Sequence, residues 1–99
     1  MNPQELSASA DRASDFLKSM ANPLRLRILC MIIDGERPVG DIAEALGVRQ
    51  SAVSQHLALL RKDSLVTPRR DGQTIYYRLA DRNVKKVVKL LHELFCKAA

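Results

Sequence analysis

The chain has 99 residues, of which 46% are hydrophobic, with 4 Gly and 4 Pro. This length and composition fit one folded domain over residues 1–99 and exclude a disordered chain. The longest apolar run, residues 28–33, is too short to cross a bilayer, and the first residues carry no signal-peptide pattern. We therefore expect a cytoplasmic protein with no membrane partner.

The formal net charge of +5 is unevenly distributed along the chain. Residues 1–48 carry five basic and seven acidic side chains, a net charge of −2. Residues 49–78 carry six basic and two acidic side chains (net +4), and residues 79–99 carry five basic and two acidic side chains (net +3). A basic middle segment beside an acidic first half is typical of a protein whose partner is a polyanion. Since neither a Gly-rich phosphate loop nor a nucleophile with its base and orienting group is present, we expect no enzyme and no cofactor.

Apolar spacing and the positions of Gly and Pro predict the helices. The Asn22-Pro23 pair predicts an N-cap and a first helical position, and Gly35 and Gly47 predict two helix ends. Asp81 is the predicted cap of the last helix. The predicted helices cover residues 4–20, 23–34, 38–47, 49–62 and 81–97.

Between the fourth and last helices the apolar period changes from helical to alternating. This predicts two strands, residues 65–69 and 74–79, around a hairpin tip at Asp71-Gly72, with Pro68 restricting the first strand to an edge or a bulge. Tyr76 and Tyr77 should face opposite sides of the hairpin. The fold class is therefore mainly α with a β-hairpin wing, in the order α-α-α-α-β-β-α. It is a winged helix-turn-helix with the helix-turn-helix at residues 38–62 and the wing at residues 65–79.

Polar side chains on the fourth helix and on the wing suit contacts with duplex DNA. A recognition helix reads base edges with its N-terminal residues, whereas a basic wing suits phosphate or minor-groove contact. An ordinary exposed surface would have a similar composition, but the Gly turn, the basic hairpin and the charge asymmetry together favour DNA. His56 is interpreted as a packed or capping side chain. The predicted DNA-binding residues are Arg49, Gln50, Ser51, Ser54, Gln55, Arg69, Arg70 and Gln73.

Three sequence segments, residues 21–29, 50–57 and 70–77, resemble motifs of the ArsR/SmtB repressors, and the similarity spans about residues 13–96. The resemblance implies a homodimer formed through the first and last helices, residues 4–20 and 81–97, that binds a two-fold double-stranded DNA operator and represses transcription. Many members of that family sense metals. The third helix here has no cysteine pair, and the last helix lacks the Asp/His array that binds zinc, so neither family metal site is expected.

Cys30 and Cys96 resemble the cysteines of a subgroup, the reactive-sulfur and redox sensors of the SqrR/BigR type and the related HlyU regulators. The matching contexts are residues 28–31 and 91–96. The resemblance implies that the reduced protein binds DNA. A reactive sulfur species or another oxidant then links the two sulfurs by a disulfide or polysulfide, and the operator is released. His92, one helical turn before Cys96, could favour the thiolate if protonated.

Three alternatives stay open at this point. Both cysteines could be small core residues, the common role of an isolated intracellular Cys. Cys30, Cys96 and His92 could instead bind zinc or copper(I), although no fourth ligand is evident. The fold could also serve as a protein-interaction module without DNA binding.

Overall fold

The computed structural model describes residues 2–95, which form five helices and three short strands. Cys96 and Lys97, the last predicted helical residues, lie outside the described residues. None of the helices within residues 2–95 combines the length and apolarity that a membrane span requires. The elements are α1 (Pro3–Met20), α2 (Pro23–Met31), β1 (Arg37–Pro38), α3 (Val39–Leu46), α4 (Gln50–Lys62), β2 (Val66–Asp71), β3 (Thr74–Leu79) and α5 (Arg82–Phe95).

Asn22, Asp81 and Gly47 lie at helix ends as predicted, whereas Gly35 does not, because α2 ends at Met31. Asn22 Oδ1 accepts hydrogen bonds from the backbone N–H groups of Leu24 and Arg25, at 2.9 and 3.1 Å. Asp81 Oδ1 accepts one from the Val84 N–H at 2.9 Å. Each bond satisfies a donor that the first turn of a helix would otherwise leave unpaired. Gly47 ends α3 in the left-handed conformation, with φ of 66°, which a residue without a Cβ adopts at little cost.

The core lies where α2, α3, α4 and α5 meet. The predicted stripe of α4, formed by Val53, Leu57 and Leu60, is fully buried, as are Ile28 and Leu29 of α2. The core thus fixes both the axis and the rotation of α4, leaving its opposite face to solvent.

The second helix is shorter than predicted, because it ends at Met31 and not at Asp34. The Ile32 N–H donates to Leu29 O at 3.2 Å, and the Ile33 N–H donates to Cys30 O at 3.4 Å. These are bonds to the third preceding residue, which tighten the last turn and redirect the chain. Ile32 lies beyond the end of the helix but is buried. Its apolar side chain fits the helical pattern in the sequence, although it packs from the turn that leads to β1.

The sheet has three antiparallel strands in the order β1-β3-β2. Strand β2 is an edge strand, as Pro68 predicts. It extends two residues further than expected because Asp71 pairs with Thr74, so the turn consists of Gly72 and Gln73, with Gly72 at φ of 63°. Strand β1, only two residues long, was not predicted, since two residues are too few for an alternating pattern.

Candidate nucleic-acid interface

The turn between α3 and α4 determines the orientation of α4 relative to α3. The Gly47 N–H donates to Glu44 O at 3.2 Å and the Val48 N–H donates to Ala43 O at 3.1 Å. Arg49 is the N-cap residue of α4 and keeps an extended backbone. With one face of α4 held in the core, the first two turns of its other face project into solvent.

Every residue predicted to bind DNA is exposed. Five of them occupy the start of α4 and three lie on the wing. Exposure is required for contact with a duplex, and the helix start is the part of a recognition helix that reaches base edges. The exposed set is Arg49, Gln50, Ser51, Ser54, Gln55, Arg69, Arg70 and Gln73.

A surface groove of about 570 Å³ separates the helix-turn-helix from the wing. Gln50 and Ser54 of α4 line one side of it, and Gln73 lines the other. The fold therefore brings together predicted residues that are about 20 positions apart in sequence. Asp41 and Thr74 also line the groove and were not predicted, because neither belongs to a recognisable motif.

The two tyrosines of the wing face opposite sides, as the alternation predicts. Tyr77 is only 9% exposed and belongs to the core. Tyr76 is half-buried, lines the groove, and has its ring centroid 4.6 Å from Cζ of Arg69. This distance is typical of a cation–π contact.

Arg69 forms hydrogen bonds with another side chain of the protein, that of Glu36. Its Nε lies 3.0 Å from both carboxylate oxygens of Glu36, and a terminal nitrogen donates to Glu36 Oε1 as well. The hydrogen bond from Arg69 holds the pKa of Glu36 below its ordinary value. The two residues are 33 positions apart, so no local signal in the sequence could have indicated Glu36.

Cys30 is half-buried on α2, next to the last described turn of α5. It lines a cavity of about 330 Å³ with His92, and a smaller one of about 190 Å³ with His92 and Phe95. Phe95 immediately precedes Cys96 in sequence. Within residues 2–95, no three or more His, Cys, Asp or Glu side chains form a group that could hold a metal ion.

Comparison with known proteins places this geometry in a family. The pattern of the family "Bacterial regulatory protein, arsR family" matches residues 22–67. The transcriptional activator HlyU of Vibrio cholerae is 48% identical over 98 residues, which cover 99% of this chain and 91% of that protein. The structure of its reduced form has a TM-score of 0.90 at 47% identity, covering 95% of this chain and 99% of that one.

Two further solved structures share the fold. The transcriptional repressor BigR of Xylella fastidiosa matches with a TM-score of 0.85 and 31% identity, over 99% of this chain and all of that chain (100%). The homodimeric winged helix-turn-helix DNA-binding domain Mb0332 of Mycobacterium bovis matches with a TM-score of 0.80 and 33% identity, over 95% of this chain and 86% of that one. HlyU and BigR, named an activator and a repressor, are both transcriptional regulators. This chain belongs to the ArsR family of winged-helix DNA-binding transcriptional regulators, as its three sequence motifs predict, and its relatives include HlyU and BigR.

Proposed function

We propose that the protein is a homodimeric repressor that binds a two-fold operator and releases it when Cys30 and Cys96 become covalently linked. The observation that carries the DNA-binding part is the row of exposed polar residues at the start of α4, beside the groove and the wing. Gln55 and Gln50 would pair with base edges in the major groove, and Arg49 and Arg70 would contact phosphates.

Exposed apolar side chains support a dimer formed through the first and last helices. Five of the six large exposed hydrophobic residues within residues 2–95 lie on α1 and α5. A monomer would leave this surface in water, whereas a second copy would bury it. The residues are Leu6 and Leu17 on α1, and Leu90, Leu94 and Phe95 on α5.

The contact between α2 and α5 supports a switch involving Cys30. Cys30 shares both cavities with His92, and the smaller cavity also reaches Phe95. Phe95, the last described residue, therefore lies near Cys30. A direct disulfide needs Cα atoms within about 7 Å, whereas inserted sulfur atoms relax that limit. Because α5 also belongs to the proposed dimer surface, a bridge to α2 would change the spacing of the two recognition helices.

A persulfide can supply the oxidation without another reactant. One Cys thiolate attacks the outer sulfur of RSSH and releases the thiol RSH, which leaves a protein persulfide. The second thiolate attacks the inner sulfur of that group and expels hydrogen sulfide. In total, two Cys thiols and one RSSH give one disulfide, one RSH and one H₂S. A second RSSH would add one sulfur to the bridge and release a second RSH. Disulfides that form in the cytosol are characteristically regulatory.

The test measures binding to a duplex that the reduced protein selects from a random-sequence pool. Reduced protein should bind tightly, and protein treated with glutathione persulfide should bind at least about tenfold more weakly, which corresponds to about 1.4 kcal/mol. Mass spectrometry should find Cys30 linked to Cys96 in the treated sample. Persulfide should not weaken binding by Cys30→Ser or Cys96→Ser. If either variant still responds as the wild type does, the switch is wrong.

Two other treatments separate the alternatives. Zinc at micromolar concentration should leave duplex binding by the reduced protein unchanged. Release of the duplex by zinc alone would instead favour a metal site at Cys30, Cys96 and His92. Binding to duplex DNA should weaken steeply with salt because condensed counterions are released. A protein-interaction module would instead show no such duplex binding.

A further inference from the structure

We propose that Glu36 is a positioning residue for the wing, and that Arg69 is its clamp partner and not a phosphate contact. The Glu36 carboxylate holds the Arg69 guanidinium against the ring of Tyr76. This reassigns Arg69, which the sequence predicts as a DNA-binding residue. The proposal depends on DNA binding by this family member but not on cysteine chemistry, so the two can fail separately.

The three side chains form one continuous contact. Arg69 Nε is 3.0 Å from each Glu36 oxygen, and Cζ of Arg69 lies 4.6 Å from the centre of the Tyr76 ring. A guanidinium is planar, so it can donate to a carboxylate along its edge while its face rests on an aromatic ring. Arginine can also donate two parallel hydrogen bonds to the carboxylate while its face rests on the ring, which a lysine cannot do.

The clamp crosses the whole sheet. Arg69 on the edge strand β2 is directly opposite Tyr76 on the central strand β3. Tyr76 is in turn opposite Pro38 of β1, and Glu36 immediately precedes that strand. The contact therefore joins the outer edge of the wing to the segment that leads from α2 into α3. Since β1 has only two residues, its ladder alone attaches the wing weakly to the body of the domain.

Because of the same contact, Arg69 is not available to bind a DNA phosphate. Its Nε and one terminal nitrogen already donate to Glu36, which also neutralises its charge. Arg69 with Glu36 is the one salt bridge found within residues 2–95. Arg70 is exposed and forms no salt bridge with any other described residue. Because successive residues of a strand face opposite sides, Arg70 points away from the clamp. Of the two wing arginines predicted to bind DNA, Arg70 is therefore the one whose charge is available to phosphate.

Salt dependence distinguishes a clamp from a phosphate contact. The duplex is again the one that reduced wild-type protein selects from a random pool, and its affinity is measured over a range of salt concentrations. Each phosphate contact contributes about 0.9 to the slope of log K against log salt, so one contact per subunit contributes about 1.8 per dimer. Arg70→Gln should lower the slope by this amount.

Glu36→Gln and Arg69→Gln should behave differently from Arg70→Gln. Each should weaken binding about threefold to tenfold at every salt concentration, with the slope unchanged, because a loosened wing must be ordered on binding while its exposed Arg70 still reaches a phosphate. The double variant should bind no more weakly than Arg69→Gln, since either single change already opens the clamp. Unchanged affinity in both single variants would overturn the proposal. So would a reduced slope in Arg69→Gln or tighter binding by Glu36→Gln.

A second measurement needs no DNA. In the free wild-type protein, the Arg69 Nε proton should exchange with solvent slowly by NMR, because two carboxylate oxygens accept from it. Glu36→Gln should speed that exchange at least about tenfold, as expected when a charge-assisted bond is replaced by a weaker neutral one. Arg70→Gln is the control and should leave it unchanged. Equally fast exchange in the wild type and Glu36→Gln would show that no clamp exists.

Discussion

Arg25 Nε donates a hydrogen bond of 3.1 Å to Nδ1 of His56, which ties α2 to the middle of the recognition helix α4. A terminal nitrogen of the same side chain donates to Ser19 O, at 3.3 Å, in the last turn of α1. Ser19 Oγ in turn donates to Asp63 Oδ2, at 2.8 Å, where α4 ends. One arginine and one serine thus join the proposed dimer helix α1, the helix α2 that carries Cys30 and the proposed recognition helix α4.

Replacing Arg25 should destabilise the fold measurably. Arg25→Met keeps most of the aliphatic stem but removes both hydrogen bonds, so a half-buried His56 nitrogen and a backbone carbonyl lose their donor. We expect a decrease of about 1–2 kcal/mol in the free energy of unfolding, measured by urea denaturation. Arg27→Met is the matched control, because Arg27 is exposed on the same helix, and its effect should stay within about 0.5 kcal/mol. Equal losses in the two variants would contradict a specific role for Arg25.

The contacts made by Arg25 and Arg69 show where sequence reasoning reaches its limit. The winged helix-turn-helix, the Asn22 and Asp81 caps and the Gly47 turn follow from local signals, and the structure confirms them. Arg25 and His56 are 31 positions apart, and Glu36 and Arg69 are 33. Such pairs depend on how the elements pack, which a single sequence does not reveal. Strand β1 was missed for the same reason, since two residues form a strand only because β3 is there to pair with them.

The titration of Glu36 should report its contact with Arg69. The hydrogen bond from Arg69 lowers the pKa of Glu36 below 4.5, the ordinary value. A carboxyl group whose pKa is lowered by folding contributes stability above its ordinary pKa and loses it as the pH falls through the lowered value. The carboxyl carbon of Glu36, followed by NMR, should therefore titrate below 4.5. Arg69→Gln should return the midpoint towards 4.5, and Arg70→Gln should not. A wild-type midpoint at or above 4.5 would contradict the observed geometry.

Gln55 should contribute to sequence specificity more than to general affinity. Its exposed amide lies one turn after Ser51 on the solvent face of α4, and a glutamine amide can pair with the edge of adenine. Gln55→Ala should weaken binding to the selected duplex by about 1–3 kcal/mol. Binding to an unrelated duplex should change much less, because phosphate contacts dominate there. Gln4→Ala, at the exposed start of α1, is the control and should affect neither duplex. Equal weakening on both duplexes by Gln55→Ala would show that Gln55 reads no base.

The apolar face of α5 should decide the oligomeric state. Leu90 and Leu94 lie one helical turn apart and are 54% and 64% exposed in the single chain, whereas Val84 and Val88 of the same helix fill the core. A carboxylate at position 94 would have to lose its water at the proposed dimer contact, which is costly for an unpaired charge. Leu94→Glu should therefore shift the protein from dimer to monomer in sedimentation analysis. It should also weaken operator binding at least about tenfold, because a monomer binds the operator with one recognition helix and not two.

Lys89→Glu introduces the same acid at an exposed position on the polar side of α5 and should leave the dimer intact. If Leu94→Glu stays as dimeric as Lys89→Glu while its thermal unfolding is unchanged, the dimer does not form through this face.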